Sequence, residues 1–309
     1  MSVLPEIPQP TPVSQKAGVL LFLCGLMVFS IFDASSKYLL ETYPAPFLNV
    51  MRYGTVALIA IAILIRHGVP RLRAVPHRQL LIARGIALGT VGTCFMTALI
   101  WMPLAEATAI YFTSPLIVIV LSRWFLQEHV GLLKWLAVLA GFGGMLLIIR
   151  PGNDLPALGT VLMIIAAVSF SIFQLLTRKL ADKVPSHIQY GYTAFICLLI
   201  TGLPAPFFLP DPWPDWKDFL FILSLGISNG AGHLLLIAAF QRVAASTLAP
   251  LNYCQLLIAV AFSTILFNQP PDTLAMAGIG LIMATGVFLA LPTRKTLQET
   301  RQKRLKDRQ

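Results

Sequence analysis

The sequence predicts an all-α membrane protein whose ten transmembrane helices form two inverted five-helix repeats. Three observations lead to this fold class. Hydrophobic residues make up 57% of the 309 residues and charged residues only 12%, whereas soluble proteins carry about 25% charged residues. Apolar runs of about 20 residues, long enough to cross the hydrocarbon core of a bilayer, recur along the chain. The phrase Phe-Ser-Ile-Phe occurs at Phe29–Phe32 and again at Phe170–Phe173.

The repeat extends beyond this phrase, at a constant offset of 141 positions. The further matched pairs are Asp33 with Gln174, Ser36 with Thr177, Lys37 with Arg178, and Pro44 with Pro185. Positions i, i+3, i+4 and i+7 share one face of a helix. Each copy therefore predicts a helix face that carries two aromatic and two polar side chains, and the two faces suggest one shared cavity.

We assign ten spans from the apolar runs, each near the length that a bilayer requires. They are 17–40, 47–66, 79–101, 106–124, 132–149, 157–178, 187–209, 218–240, 245–267 and 273–291. Five spans per half is an odd number, so the second half enters the membrane in the opposite sense. Repeats of this kind build a substrate site near the midplane, where the two halves meet.

Basic residues predict the orientation. Nineteen of the 23 lysines and arginines fall on one side of the membrane in this assignment, including Arg71, Arg84 and a cluster after Thr293. The positive-inside rule then places both termini in the cytoplasm, and we expect a bacterial inner-membrane protein. The domains are a cytoplasmic tail (1–16), the first repeat (17–150), the inverted second repeat (151–292) and a basic tail (293–309). We expect this tail to contact anionic lipid and not nucleic acid.

Polar residues concentrate on helices 1, 3, 4, 6, 8 and 9, which we expect to line the path because polar side chains avoid lipid. Helices 2, 5, 7 and 10 are the buttresses, where Ala137 with Gly141 and Gly280 with Ala284 form small-xxx-small pairs. Pro103, Pro115 and Pro250 can bend the lining helices. The cavity candidates are Phe29, Phe32, Asp33, Ser36, Trp101, Tyr111, Phe173, Gln174, Asn229, His233, Asn252 and Tyr253.

Two titratable candidates each have two interpretations. Asp33 is the only acid well inside a span and could bind a proton or a substrate ammonium group. Alternatively Lys37, one turn away, neutralises it in an ion pair. His233 could titrate near neutral pH, or it is a neutral histidine hydrogen-bonded to a neighbouring helix. The aromatic candidates form either a cage for a flat substrate or ordinary packing.

Helices 4 and 5 resemble the corresponding signature of EamA-type transporters in the drug/metabolite transporter superfamily. This stretch reads LAEATAIYFTSPLIVIVLSRWFLQEHVGLLKWLAVLAGFGGMLLIIRPG and includes Pro115, Glu128 and a glycine-rich helix 5. The segments SKYLLETYPAPFLNVMRYGTVAL, with Arg52 at the family's usual arginine, and APLNYCQLLIAVAFSTILFNQPPD are similar to further family signatures. Gln269 stands where the second half often has a glutamate, so a symmetric acidic partner of Glu128 is missing. Size and aromatic content are similar to those of YddG-like aromatic amino-acid exporters.

No ATP-binding P-loop or zinc-protease motif occurs in the sequence, so we expect a secondary or facilitative transporter without a cofactor or metal. The sequence places no lysine or arginine deep in the cavity, which favours a small, net-neutral solute. The resemblance implies export, and we expect neutral amino acids with aromatic or apolar side chains. The alternatives are export of other amphipathic metabolites or drugs, or an intramembrane enzyme with His233 and Asp33 as its candidate residues. The sequence does not indicate an oligomeric state.

Overall fold

The computed structural model describes residues 12–67, 75, 77–125, 132–149, 155–180, 183–240, 242–243 and 248–290. Across these residues the regular structure is entirely helical. The α-helices are α1 (Pro12–Leu39), α2 (Ala45–His67), α3 (Arg78–Ala98), α4 (Leu104–Tyr111), α5 (Ser114–Phe125), α6 (Leu132–Ile149), α7 (Ala157–Leu180), α8 (Ser186–Gly202), α9 (Trp216–Phe240), α10 (Tyr253–Ile265) and α11 (Thr273–Ala290). Short 3₁₀ turns at Ala205–Phe207 and Ala249–Asn252 precede α9 and α10.

Six helical segments in the described ranges are long and apolar enough to cross a membrane. They are Lys16–Leu39, Ala45–Arg66, Arg78–Ala98, Leu104–Leu121, Ala157–Thr177 and His187–Phe207. Three more helices are apolar but shorter, within α6, α10 and α11. The all-helical, multi-span architecture is therefore confirmed, and the count of ten spans stays a prediction. Residues 1–11 of the predicted N-terminal tail, the basic tail, the loop that contains Arg71 and the residue Glu128 lie outside the described residues. Residues 12–16, which the sequence assigned to the N-terminal tail, are the first residues of α1.

The predicted fourth span, 106–124, is two helices and not one. α4 ends at Tyr111 and α5 begins at Ser114. The cause is Pro115, the second residue of α5, which has no backbone N–H to donate to the Tyr111 carbonyl four residues earlier and so cannot continue the hydrogen-bond ladder of α4. The other two prolines also lie at helix starts: Pro103 immediately precedes α4, and Pro250 lies in the 3₁₀ turn before α10. Pro115 thus lies at a break within a predicted span, whereas bending of a helix by Pro103 or Pro250 stays a prediction.

The two halves of the chain pack on each other in a symmetric pattern. Under the repeat offset, α1 corresponds to α7, α2 to α8, α3 to α9, and α6 to α11. α1 packs against α9 and α3 against α7, which are equivalent contacts. α2 packs against its own counterpart α8, and α6 against its counterpart α11. The interior of the bundle thus lies between helices contributed by both halves.

The α6–α11 contact depends on one pair of glycines. A Cβ on Gly278 would lie 2.5 Å from the Gly144 carbonyl oxygen, and a Cβ on Gly144 would lie 2.7 Å from the Gly278 carbonyl oxygen. Small residues allow helix backbones in a membrane to approach this closely. A Cβ on Gly280 would meet nothing within 4 Å. Gly280 therefore takes no part in the α6–α11 contact, since two residues turn a helix by about 200° and place Gly280 on another face. The Gly280–Ala284 pair predicted close packing within the monomer or between protomers, and the second of these stays a prediction.

Candidate substrate site

Four aromatic side chains form a continuous series through the bundle, which we call the aromatic row. Phe95 of α3 meets Tyr111 of α4 edge-on, with ring centroids 5.3 Å apart. Tyr111 meets Phe170 of α7 at 5.0 Å. Phe170 lies nearly parallel to Phe173, with centroids 5.8 Å apart and 16° between the ring planes. The row therefore joins helices from both halves, and its second half is the repeated phrase.

The break between α4 and α5 positions the centre of the row. Tyr111 is the last residue of α4, and Phe112 lies in the break itself. Their rings are 6.1 Å apart, and Phe112 extends the contacts to Tyr253 of α10 at 5.7 Å. Tyr253 is buried, and its hydroxyl has no hydrogen-bond partner among the described residues. Two predicted cavity residues, Tyr111 and Tyr253, are thus linked through Phe112.

The first copy of the phrase faces different neighbours. Phe29 meets the edge of the His233 ring of α9, with centroids 5.0 Å apart and 75° between planes. Phe32 is buried beneath the guanidinium of Arg52, which lies 5.2 Å from the ring centroid. Asn229, one turn before His233, is half-buried on the same helix. The structure therefore brings together Phe29 and His233, two of the predicted cavity candidates.

Asp33 does not form the ion pair with Lys37 that the sequence left open. The Gln255 side-chain amide of α10 donates a hydrogen bond to Asp33 Oδ2 at 3.1 Å. Lys37 instead donates to the carbonyl oxygens of Leu99, at 3.1 Å, and Met102, at 2.8 Å. These carbonyls follow the end of α3, where backbone acceptors lack helical partners and attract a cation. Lys37 therefore leaves the Asp33 carboxylate to other groups.

Arg84 is buried within the bundle, although the sequence assigned it to the edge of a cytoplasmic loop. It is the seventh residue of α3, about 9 Å along the helix axis from Arg78. Its Nε donates to Thr177 Oγ1 at 2.7 Å, and its Nη1 donates to the Gln189 carbonyl at 3.1 Å and to Thr193 Oγ1. The guanidinium also lies 4.5 Å from the Phe173 ring centroid.

Arg52 of α2 is a second buried arginine, with only 4% of its surface exposed. Its guanidinium lies 4.2 Å from the Tyr53 ring centroid and also covers Phe32. Nε and Nη2 are buried and have no hydrogen-bond partner within the described ranges. Asn49 of the same helix donates to the Gly92 carbonyl of α3 at 3.2 Å. The expectation of an interior without lysine or arginine is therefore wrong.

The remaining predicted site residues are more scattered. Ser36 is fully buried, and its hydroxyl lacks a partner in the described part of the chain. Gln174 and Asn252 are half-buried, the latter immediately before α10. Trp101 is 45% exposed. α3 ends at Ala98, so Trp101 lies in the turn beyond it, and the structure does not bring it to the aromatic row.

Phe95, Phe112 and Arg84 contribute to this site, but the sequence did not single them out. Phe95 and Phe112 are apolar residues in apolar runs, so hydropathy cannot separate a ring that meets another ring from one that meets lipid. Arg84 does carry a usable signal, since it lies a turn and a half inside the apolar run, where charged residues are costly and functional.

The outer end of the bundle, as the topology predicts it, holds a separate cavity of about 340 Å³. It lies where α1, α3 and α10 end, and its lining includes Lys37, Glu41, Leu99, Phe267 and Gln269. The Lys37 ammonium stands 5.6 Å from the Phe267 ring centroid. We call this cavity the vestibule, and its lining includes none of the four residues of the aromatic row.

Comparison with known proteins gives two matches to one family. The EamA-like transporter family matches residues 16–150 and again residues 157–291. The S-adenosylmethionine uptake transporter of Rickettsia bellii is 25% identical over 91% of this chain and 96% of its own length. The riboflavin transporter of Brucella anthropi is 27% identical over 80% of this chain and 88% of its own length. The pseudopaline exporter of Pseudomonas aeruginosa is 25% identical over 89% of this chain and 96% of its own length. One solved crystal structure shares the fold, with a TM-score of 0.62 at 19% identity, over 88% of this chain and 96% of that one.

Proposed function

This chain belongs to the EamA-like transporter family, and on that premise we propose that it carries a small metabolite with a flat ring across the bacterial inner membrane. Family members are transporters, so the chain is a multi-pass membrane transporter and not an enzyme. The observation that carries the finer proposal is the aromatic row, in which Phe95, Tyr111, Phe170 and Phe173 link both halves of the bundle.

The chemistry of the row favours a planar, partly apolar solute. Aromatic rings attract one another in stacked and edge-to-face arrangements at centroid distances of about 4.5–7 Å. A flat ring entering beside Tyr111 can replace one of the existing contacts with an equivalent one, so opening the row costs little. S-adenosylmethionine and riboflavin, for which relatives are named, both contain fused heteroaromatic rings. Neutral amino acids with aromatic or apolar side chains remain candidates, and none of the three relatives named above is described as carrying them.

Alternating access of two inverted halves is the mechanism we propose. The two matches to one family and the symmetric packing of α1 on α9 and α3 on α7 support it. In such folds the two halves rock around a site at their interface. Both termini are cytoplasmic in this proposal. We propose export as the direction, although named relatives include an uptake transporter and an exporter.

The test is solute uptake by liposomes that contain the purified protein. The panel is tryptophan, S-adenosylmethionine and riboflavin against glutamate and a sugar phosphate. We expect at least one ring-bearing solute to enter faster than glutamate and the sugar phosphate.

Tyr111→Ala and Phe173→Ala should reduce that preference about tenfold, since each removes stacking contacts. Trp101→Ala is the matched control and should leave the preference intact, because Trp101 is exposed and off the row. Equal entry of all solutes, or no entry of any, contradicts the proposal.

A further inference from the structure

The two buried arginines differ in how their hydrogen-bonding capacity is used. Arg84 donates to Thr177, Gln189 and Thr193 through Nε and Nη1. Arg52 is more deeply buried, yet its Nε and Nη2 find no acceptor among the described residues. A buried charged donor without an acceptor is costly and is therefore rare unless it has a role.

The two nitrogens without acceptors form one edge of the guanidinium. Nε–H and the N–H of Nη2 that lies beside it point in parallel, which is the fork that binds both oxygens of a carboxylate. The flat faces of the guanidinium are occupied, because they cover the rings of Phe32 and Tyr53. The edge of Arg52 that lacks acceptors thus has the geometry that binds a planar anion with two oxygens.

Arg52 stands beside α1, the helix that carries Asp33. Its guanidinium lies 5.2 Å from the ring centroid of Phe32, the residue that precedes Asp33. Asp33 itself receives the Gln255 amide and does not accept from Nε or Nη2 of Arg52. A buried carboxyl group and a buried guanidinium therefore lie on neighbouring helices, and Nε and Nη2 of the guanidinium make no hydrogen bond to the carboxyl group.

We propose that Arg52 binds a carboxylate of the transported solute, and that Asp33, oriented by Gln255, binds its amino group. The solute is then a metabolite that joins an α-amino-acid group to a flat ring. This inference rests on the proposed function and narrows its substrate class. Both Arg52 nitrogens are shielded from solvent in this conformation, so the carboxylate reaches them in the rearrangement that opens the site. Separate contacts for the two charges select the zwitterion over an amine or an acid alone.

The primary test varies the solute and leaves the protein unchanged. Liposomes containing the full-length protein take up labelled tryptophan, and unlabelled analogues compete for it. The analogues are tryptophanamide and tryptamine, which lack the carboxylate, and indole-3-propionate, which lacks the amine. Losing a charge-assisted hydrogen bond weakens binding by about tenfold or more, so we expect each analogue to compete at least about tenfold less well than tryptophan itself.

Variants at the two arginines assign this effect to Arg52. In Arg52→Gln, tryptophan and tryptophanamide should compete equally well for uptake of labelled tryptophan. Arg52→Lys should keep part of the difference in potency between these two competitors. Arg84→Gln is the comparison variant: it removes a buried arginine whose Nε and Nη1 already have acceptors. We expect lower uptake of both solutes, because the contact with Phe173 is lost, and an unchanged ratio between the two solutes. If Arg52→Gln does not fold, Arg52→Lys and the analogue series on the unmodified protein still decide the question.

Three results overturn the inference. Equal competition by tryptophan and tryptophanamide overturns it and leaves the proposed function standing if riboflavin is still carried. If Arg84→Gln and Arg52→Gln reduce the difference in potency between tryptophan and tryptophanamide equally, the effect is a general electrostatic one and the inference is also overturned. No uptake of any member of the ring-bearing panel overturns the proposed function and this inference together.

Discussion

At the scale of single residues, the position of Lys37 is explained by the helix end beside it. Lys37 does not pair with Asp33 and instead binds the carbonyls of Leu99 and Met102. Those carbonyls are free because α3 stops at Ala98. The lysine therefore joins α1 to the α3–α4 connection beside the outer vestibule, and Asp33 is left to Gln255.

Replacing Lys37 with methionine should destabilise the protein, since two buried carbonyls lose a charged donor. Hydrogen bonds of this type contribute about 1.5–3 kcal/mol each, so we expect a clear fall in the melting temperature of the purified protein in detergent. Lys217→Met is the control, because Lys217 is exposed and lies over Trp216. An unchanged melting temperature for Lys37→Met would show that water can replace the ammonium at these carbonyls.

Sequence reasoning succeeded for the features of this site that depend on local pattern. The repeated phrase predicted that Phe170 and Phe173 share a face with polar neighbours, and Pro115 marked an interruption in the fourth span. It failed for Arg84, because a basic residue near a helix end resembles a loop residue until the helix opposite supplies Thr177 and Thr193. It also failed for Trp101, whose position depends on α3 ending at Ala98.

At the scale of helices, close approach of backbones determines which pairs are fixed. The reciprocal contact of Gly144 with Gly278 joins α6 to α11. These helices are the outermost buttress in the predicted arrangement, and lipid provides no hydrophobic driving force between them. The contact therefore depends on packing, and packing of this kind tolerates no added side chain on the facing surfaces.

Gly278→Ala should separate α6 from α11, because the new methyl group would collide with the backbone oxygen of Gly144. Overpacking of this kind costs about 1–3 kcal/mol. Gly280→Ala, two residues along the same helix, meets open space and should be neutral or slightly stabilising through helix propensity. The measurement is thermal unfolding of both variants in the same detergent. Equal stability of the two variants would mean that the helices separate without cost.

At the scale of the whole molecule, two halves of similar fold enclose an interior in which the charged residues are distributed unequally between the halves. The phrase-final phenylalanines, Phe32 and Phe173, each lie beneath an arginine, yet both arginines come from the first half. Asp33 is matched by the neutral Gln174 in the repeat. In the proposed transport cycle the shared framework would let the two halves rock against each other, and the unequal charges would orient a polar solute.

The inverted arrangement of the halves is tested by the side of the membrane on which the connections lie. Single cysteines at Arg71, Pro212 and Arg301, in a chain whose four native cysteines are replaced by serine or alanine, should label from the inside, outside and inside respectively. Pro212 is exposed in the connection before α9, and Arg71 and Arg301 belong to basic segments that the positive-inside rule holds in the cytoplasm.

Membrane-impermeant maleimide applied to intact and to opened cells reports the side for each position, with retained uptake as the check that each variant is folded. Position 212 precedes the eighth predicted span and position 71 the third, so an odd number of crossings must separate them if the repeats are inverted. Labelling of position 212 from the same side as the other two would rule out two halves of opposite sense.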